Sequence, residues 1–186
     1  IRDIRGYIDR MVSLKMNTLI LWNDYPPQNS RELIDYAHTY GVKVYYGFAW
    51  GWDTRFDQID PAHTEELTEA VVREYEEKYA SLGLDGIYFQ SFTELNTEKI
   101  GDKLIAETVV DFVNDTAGVL LSKYPDLHIQ FGLHAWSVKN HTQYIAKVDP
   151  RVFIVWENCG AFPFSYIPND VADFGKTADF VRTLTP

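Results

Sequence analysis

Short, continuous apolar runs alternate along this chain with longer stretches in which apolar residues recur every three or four positions. The first pattern predicts strands covered on both faces, the second amphipathic helices. Ile4, Ile8, Met11, Val12 and Leu14 predict a helix over residues 2–15, and NTLILW at 17–22 predicts the strand after it. Pro26, Pro27 and Asn29 mark a loop, and Ser30 is placed to cap a helix lined by Leu33, Ile34 and Ala37. Gly41 ends that helix, and VKVYYGFAW at 42–50 is the next strand. Asp60-Pro61 is read as opening a long helix that runs to about Leu82, with Gly83 as its stop. DGIYF at 85–89 is a strand, residues 103–123 are helical, and HIQFGL at 128–133 is a strand. A short helix over 142–147 precedes VFIVW at 152–156, and residues 171–183 hold the start of another helix.

Strict alternation of strand and helix implies a parallel sheet with right-handed crossovers. Two architectures show that alternation, the doubly wound sheet and the barrel. No glycine-rich phosphate fingerprint follows any strand. Chemistry-capable residues stand at every strand exit rather than at a single switch point. Both points favour a (β/α)8 TIM barrel. A whole barrel takes about 250 residues, and this chain has 186. The expectation is therefore an incomplete barrel, a single catalytic domain over residues 1–186 carrying about strands two to six.

Composition narrows the partners. The net charge is −10, so no nucleic acid and no anionic membrane surface is expected, since both need clustered Lys and Arg. No apolar run approaches the ~18 residues of a membrane span. Cys159 is the single cysteine, which leaves neither a disulfide within the chain nor a zinc cluster of cysteines. Much of the acidity lies in residues 65–77 and reads as a solvated helix face. Ile1 opens inside a helical pattern, so the chain reads as a piece of a longer protein, and an export signal would lie outside it. Secretion or a periplasmic location suits such a protein, and no residue decides the matter. The remainder of that longer chain, or a second copy, is the expected partner of the open sheet edges.

The segments IDRMVSLKMNTLILW (8–22), SRELIDYAHTYGVKV (30–44) and LGLDGIYFQSFTE (82–94) resemble consecutive parts of family 20 β-N-acetylhexosaminidases. There they correspond to the helix leading into the second barrel strand, the next helix and third strand, and a fourth strand that carries the acid glutamate. Related barrels, α-glucuronidases among them, share the same grammar. The resemblance implies a glycosidase barrel with Glu94 as general acid. Thr93 stands where that family has the Asp that orients the acetamido group, and GFAWGWD at 47–53 is not that family's usual third-strand exit. The barrel and the role of Glu94 carry over, and the substrate does not.

The strand exits supply the candidate chemistry. Glu94 and Glu157 follow the third and fifth strand-like runs and form the candidate catalytic pair. Glycoside cleavage needs a proton donor whose acidity is weakened by an apolar surround, for which Phe89 and Phe92 are at hand, and a second carboxylate as base or nucleophile. Asp24 and Asp53 close two strands and are candidate ligands for sugar hydroxyls. His134 could bind a hydroxyl or tune a carboxylate. All five tryptophans, Trp22, Trp50, Trp52, Trp136 and Trp156, lie at strand ends. Two or three of them are expected to offer flat faces to a carbohydrate, the rest to pack. Tyr45, Tyr46 and Tyr88 alternate along strands, so some point inward, where packing is the commoner role. His38, His63, His128 and His141 receive no role. No metal or cofactor is expected, because no H-x-H, H-E-x-x-H or EF-hand pattern occurs. Two rival functions remain on this fold. One is a metal-dependent sugar isomerase or hydrolase, and the other is a non-catalytic carbohydrate-binding barrel.

Overall fold

The computed structural model describes residues 2–22, 25–51, 60–157, 179 and 181–182. Asp24, Trp52, Asp53 and Cys159 lie outside the described residues, as do the loop at 160–168 and most of the expected helix at 171–183.

Five helices and seven strands are formed among the described residues. The helices are α1 (Arg2–Ser13), α2 (Ser30–Thr39), α3 (Thr64–Lys78), α4 (Ile105–Lys123) and α5 (Thr142–Ile145). Five strands, β1 (Thr18–Trp22), β2 (Lys43–Ala49), β3 (Gly86–Gln90), β6 (His128–His134) and β7 (Val152–Glu157), form one sheet in the order β1-β2-β3-β6-β7. Every pairing in it is parallel. The remaining two, β4 (Lys99–Ile100) and β5 (Lys103–Leu104), make a small antiparallel hairpin. Among the described residues spatial order follows chain order without reversal, so the strands described there show no switch point of the doubly wound kind.

The register divides the sheet into two faces. Leu19, Val44, Tyr46, Phe48, Ile87, Phe89, Ile129, Phe131, Leu133 and Val152 share one parity and are buried in the core together with Leu33, Ile34, Val71, Val109, Phe112 and Leu120 of the helices. Aromatic stacking runs across this layer. Trp50 lies on Phe89 with ring centroids 3.7 Å apart, and Phe89 on Phe131 at 4.7 Å. Such pairs add about 0.5–1.5 kcal/mol each beyond their buried area. The opposite parity carries Ile20, Trp22, Tyr45, Tyr88, Gln90, Gln130, His134, Phe153 and Glu157. Helices pack on the first face, and the second is partly open: Ile20 is 42% exposed and Phe153 68%.

The strands fall where the apolar runs predict, and the helix boundaries differ. α3 starts at Thr64, not at Asp60. Asp60 instead closes a turn, accepting a hydrogen bond from the Ala62 N–H at 2.9 Å and pairing with His63 Nδ1 at 2.7 Å. The hairpin of β4 and β5 is unforeseen, being two residues per strand around Gly101 at φ 58°. Its second strand displaces the start of α4 to Ile105. Ser30 is the first helical residue, with Asn29 in the cap position, and its hydroxyl donates to Pro27 O at 2.6 Å.

Candidate active site

Because all five sheet strands run parallel, their C-terminal ends form one edge. Trp22, Gln90, His134 and Glu157 lie on the open face at that edge. His134 is the register partner of Glu157. Glu94 ends the short 3-10 turn Phe92–Glu94 that follows β3. Strand parity puts four of these side chains on one face, and the turn brings Glu94 to the same edge.

Glycines shape the surface beneath them. A Cβ on Gly47 would run into the Trp22 ring, and one on Gly86 into Tyr45. A Cβ on Gly132 would overlap the Tyr88 hydroxyl and come within 2.7 Å of Glu157 Oε1. Large side chains from neighbouring strands therefore lie flat across positions that carry no side chain. Trp22 meets Tyr88 edge to face, centroids 5.8 Å apart, and remains 44% exposed.

Glu157 is held by two donors. The Tyr88 hydroxyl donates to its Oε1, and Gln90 Nε2 donates to both carboxylate oxygens at 2.9 Å. Burial, and then the hydrogen bond to Glu157, raise the Tyr88 pKa, so its hydroxyl keeps its proton and donates. Glu94 is perturbed in the sense a proton donor requires. Partial burial is the main cause that raises its pKa, the charge of Glu157 adds to it, and His134 opposes it. His134 and Glu157 are adjacent register partners on the sheet, and both act on Glu94. His134 Nδ1 and the Thr93 hydroxyl are buried with no hydrogen-bond partner among the described residues.

The structure brings together Glu94, Glu157, His134 and Trp22 of the sequence candidates, and corrects two others. Trp50 shares the parity of Phe48, is fully buried and stacks on Phe89, so its ring faces the helices and not a cleft. Trp156 pairs with Leu133 on the same helix side and packs against the core. A strand-end position does not reveal which face a residue takes, whereas the register does. Phe89 and Phe92 are likewise core residues rather than an inner wall around Glu94, Phe92 lying 6.0 Å from the ring of Phe112. Trp136 is at the surface, 36% exposed, with the Lys139 ammonium 3.6 Å above its ring. Of the histidines without an assigned role, His38 pairs with Asp85 at 2.8 Å and His128 meets the Tyr45 hydroxyl at 3.2 Å.

Sequence reasoning missed Gln90 and took Tyr88 for packing. Gln90 is the single polar side chain able to hydrogen-bond through an amide in GIYFQ, two positions from Tyr88 and so on its face. That spacing was the available signal. Among the described residues no group of three or more His, Cys, Asp or Glu is arranged to hold a metal ion.

No family model matches the chain, and no curated protein matches it. Solved structures do. CpGH84B superposes with a TM-score of 0.64 at 14% identity, covering 96% of this chain and 34% of that one. An O-GlcNAc hydrolase from Thermobaculum terrenum gives 0.62 at 14% identity, covering 96% and 42%. A family GH13_31 enzyme gives 0.60 at 13% identity, covering 95% and 51%. The chain thus has the parallel α/β fold found in glycoside hydrolases. It spans about a third to a half of the length of these structures.

Proposed function

We propose that the chain is the larger part of a glycosidase TIM barrel and that it carries the acid/base machinery for cleaving an O-glycosidic bond. On this reading the five parallel strands are an arc of the barrel, its open face is the barrel interior, and further strands complete it. Glu94 is the general acid. Glu157 is the second carboxylate, acting as base or nucleophile or holding a sugar hydroxyl. Trp22 offers a flat face to a sugar ring, and His134 supports the pair. The substrate is a carbohydrate, and the reaction needs no cofactor.

One observation carries the reading. Two carboxyl groups stand at a shared strand-end edge in different surroundings. Glu94 is pushed toward its protonated form by burial and by Glu157. Glu157 accepts hydrogen bonds from Tyr88 and Gln90. An acidic side chain pushed toward its protonated form beside a second acidic side chain is the arrangement that glycoside cleavage uses. The fold shared with glycoside hydrolases supports it. The family 20 resemblance supplies the acid role of Glu94, and with Thr93 at the preceding position the N-acetylhexosamine substrate is not carried over.

The test is turnover of aryl glycosides by the protein containing the whole barrel. Glu94→Gln is expected to lower kcat by about 10²–10⁴-fold, the usual weight of a general acid, with circular dichroism unchanged. A leaving group of low pKa should narrow the loss, because it needs little protonation. Wild-type turnover in Glu94→Gln on a poor leaving group would remove Glu94 from the mechanism. Sugar binding by calorimetry without release from any aryl glycoside would favour a carbohydrate-binding barrel instead.

A further inference from the structure

Beside the carboxylate pair, the loop after β3 and the loop after β6 enclose a second cleft of about 450 Å³. Its walls are Asn96, Thr97, Glu98 and Lys99 on one side and Trp136 and Lys139 on the other. The volume lies within the range of small-molecule sites, about 300–1,000 Å³. The first wall begins two residues after Glu94, and the second two residues after His134.

The two walls are stitched together. The Ser137 hydroxyl donates to Leu95 O, Asn140 Nδ2 donates to Glu98 Oε1, and His141 Nε2 stands 3.3 Å from Glu98 Oε2. Ser137 is fully buried, so the link is shielded from water. The cleft is therefore a preformed gap and not a space between loose loops.

Charge gives it a preference. Glu98, the one carboxylate in the lining, is engaged by Asn140 and His141. Among the described residues neither Lys99 nor Lys139 forms an ion pair, in a chain whose net charge is −10. Lys139 is fixed over the Trp136 ring at 3.6 Å, a cation–π contact that holds the ammonium in one place. It also covers that face of the indole, so Trp136 serves as the support of a cation rather than as a bare sugar platform.

We infer that this cleft is a subsite for the anionic group of an acidic saccharide, read by Lys139 on its Trp136 support and by Lys99 across the gap. Its role as a saccharide subsite rests on the glycosidase reading above. The charge preference does not. The shared chemistry is a sugar bearing a carboxylate or a sulfate ester, and the two sources are separated by the probes.

The experiment measures equilibrium binding by calorimetry to the complete protein carrying Glu94→Gln, so that no turnover is needed. The probes are cellobiouronic acid, cellobiose 6-sulfate and neutral cellobiose. At least one acidic probe is expected to bind about 10-fold or more tightly than cellobiose, the weight of a charge-assisted contact, and the preference should shrink as salt rises. Preference for one acid alone identifies the source, and preference for both leaves the anion itself as the determinant. Lys99→Met with Lys139→Met keeps the aliphatic packing on Trp136 and is expected to abolish the preference while moving cellobiose affinity less than about 2-fold. Equal binding of all three probes, or a preference that survives in the double variant, overturns the inference. Either result is independent of whether the wild-type protein hydrolyses a glycoside.

Discussion

At the scale of single residues, the proposed acid Glu94 ties stability to pH with a definite sign. Its pKa is raised in the folded protein by burial first and by Glu157 second. Between the ordinary glutamate value of ~4.3 and that higher folded value, the native state binds more protons than the unfolded chain. Stability from this group is thus fully present below the unfolded pKa and is lost as pH rises through the folded one. Above its folded pKa the ionised, half-buried carboxylate is a burden on the fold. Glu94→Gln is expected to melt at a higher temperature than wild type at pH 7, with the gap closing below about pH 4. Parallel melting curves at all pH values would show that Glu94 is not strained by its surroundings. Gly132 makes a second residue-scale case. A side chain there would occupy the place where the Tyr88 hydroxyl meets Glu157. Gly132→Ala is expected to lower turnover by about 10²-fold, the effect of displacing a reacting group by about 1 Å, and to cost the fold about 1–3 kcal/mol. Unchanged turnover with the expected stability loss would mean that the Tyr88–Glu157 contact has no part in the chemistry.

At the scale of elements, the helix ends show how far local chemistry is set by sequence. α2 closes with Gly41 at φ 71°, its N–H bonded to His38 O and that of Val42 to Ala37 O. α1 closes in the same way with Lys15 at φ 60°, its N–H bonded to Val12 O and that of Met16 to Met11 O. Both are Schellman ends, but a lysine in the left-handed region pays a Cβ penalty that glycine avoids. Lys15→Gly is expected to stabilise the fold by about 0.5–1 kcal/mol, a left-handed penalty of ~1–2 kcal/mol less the entropic cost of glycine, read from the urea midpoint, and an unchanged or lower midpoint would contradict that cap. Gly41 was legible as a stop because glycine announces the conformation, whereas nothing about Lys15 does. The strands were legible because NTLILW, VKVYYGFAW and VFIVW are apolar runs of the right length. Their faces were not, since a run apolar at nearly every position has no alternation to read. That is why the sequence left open which tryptophans face the cleft, and the register places Trp50 against Phe89. The β4–β5 hairpin was out of reach for a different reason, as two residues per strand establish no period.

At the scale of the whole molecule, the sheet presents two edges and one incompletely covered face. Among the described residues β1 pairs only with β2 and β7 only with β6. Ile20, Trp22 and Phe153 are 42%, 44% and 68% exposed on the face away from the helices. Unpaired edges beside exposed apolar groups favour association. The net charge of −10 opposes it, because like chains repel. Salt decides between them. Screening shortens the reach of repulsion from ~30 Å at ~0.01 M to ~3 Å at ~1 M salt, and it leaves apolar attraction in place. The isolated chain is therefore expected to be smallest at low ionic strength and to grow in mass as sodium chloride is added, measured by light scattering at fixed concentration. Ile20→Glu with Phe153→Glu places like charge on the open face and should suppress that growth without altering the helix-side core. A chain that stays monomeric at every salt concentration would show that one copy already satisfies this face. Growth that persists in the double variant would move the contact to the strand edges. In the barrel proposed for the longer protein, further strands would cover both, so the complete protein should show no such salt dependence.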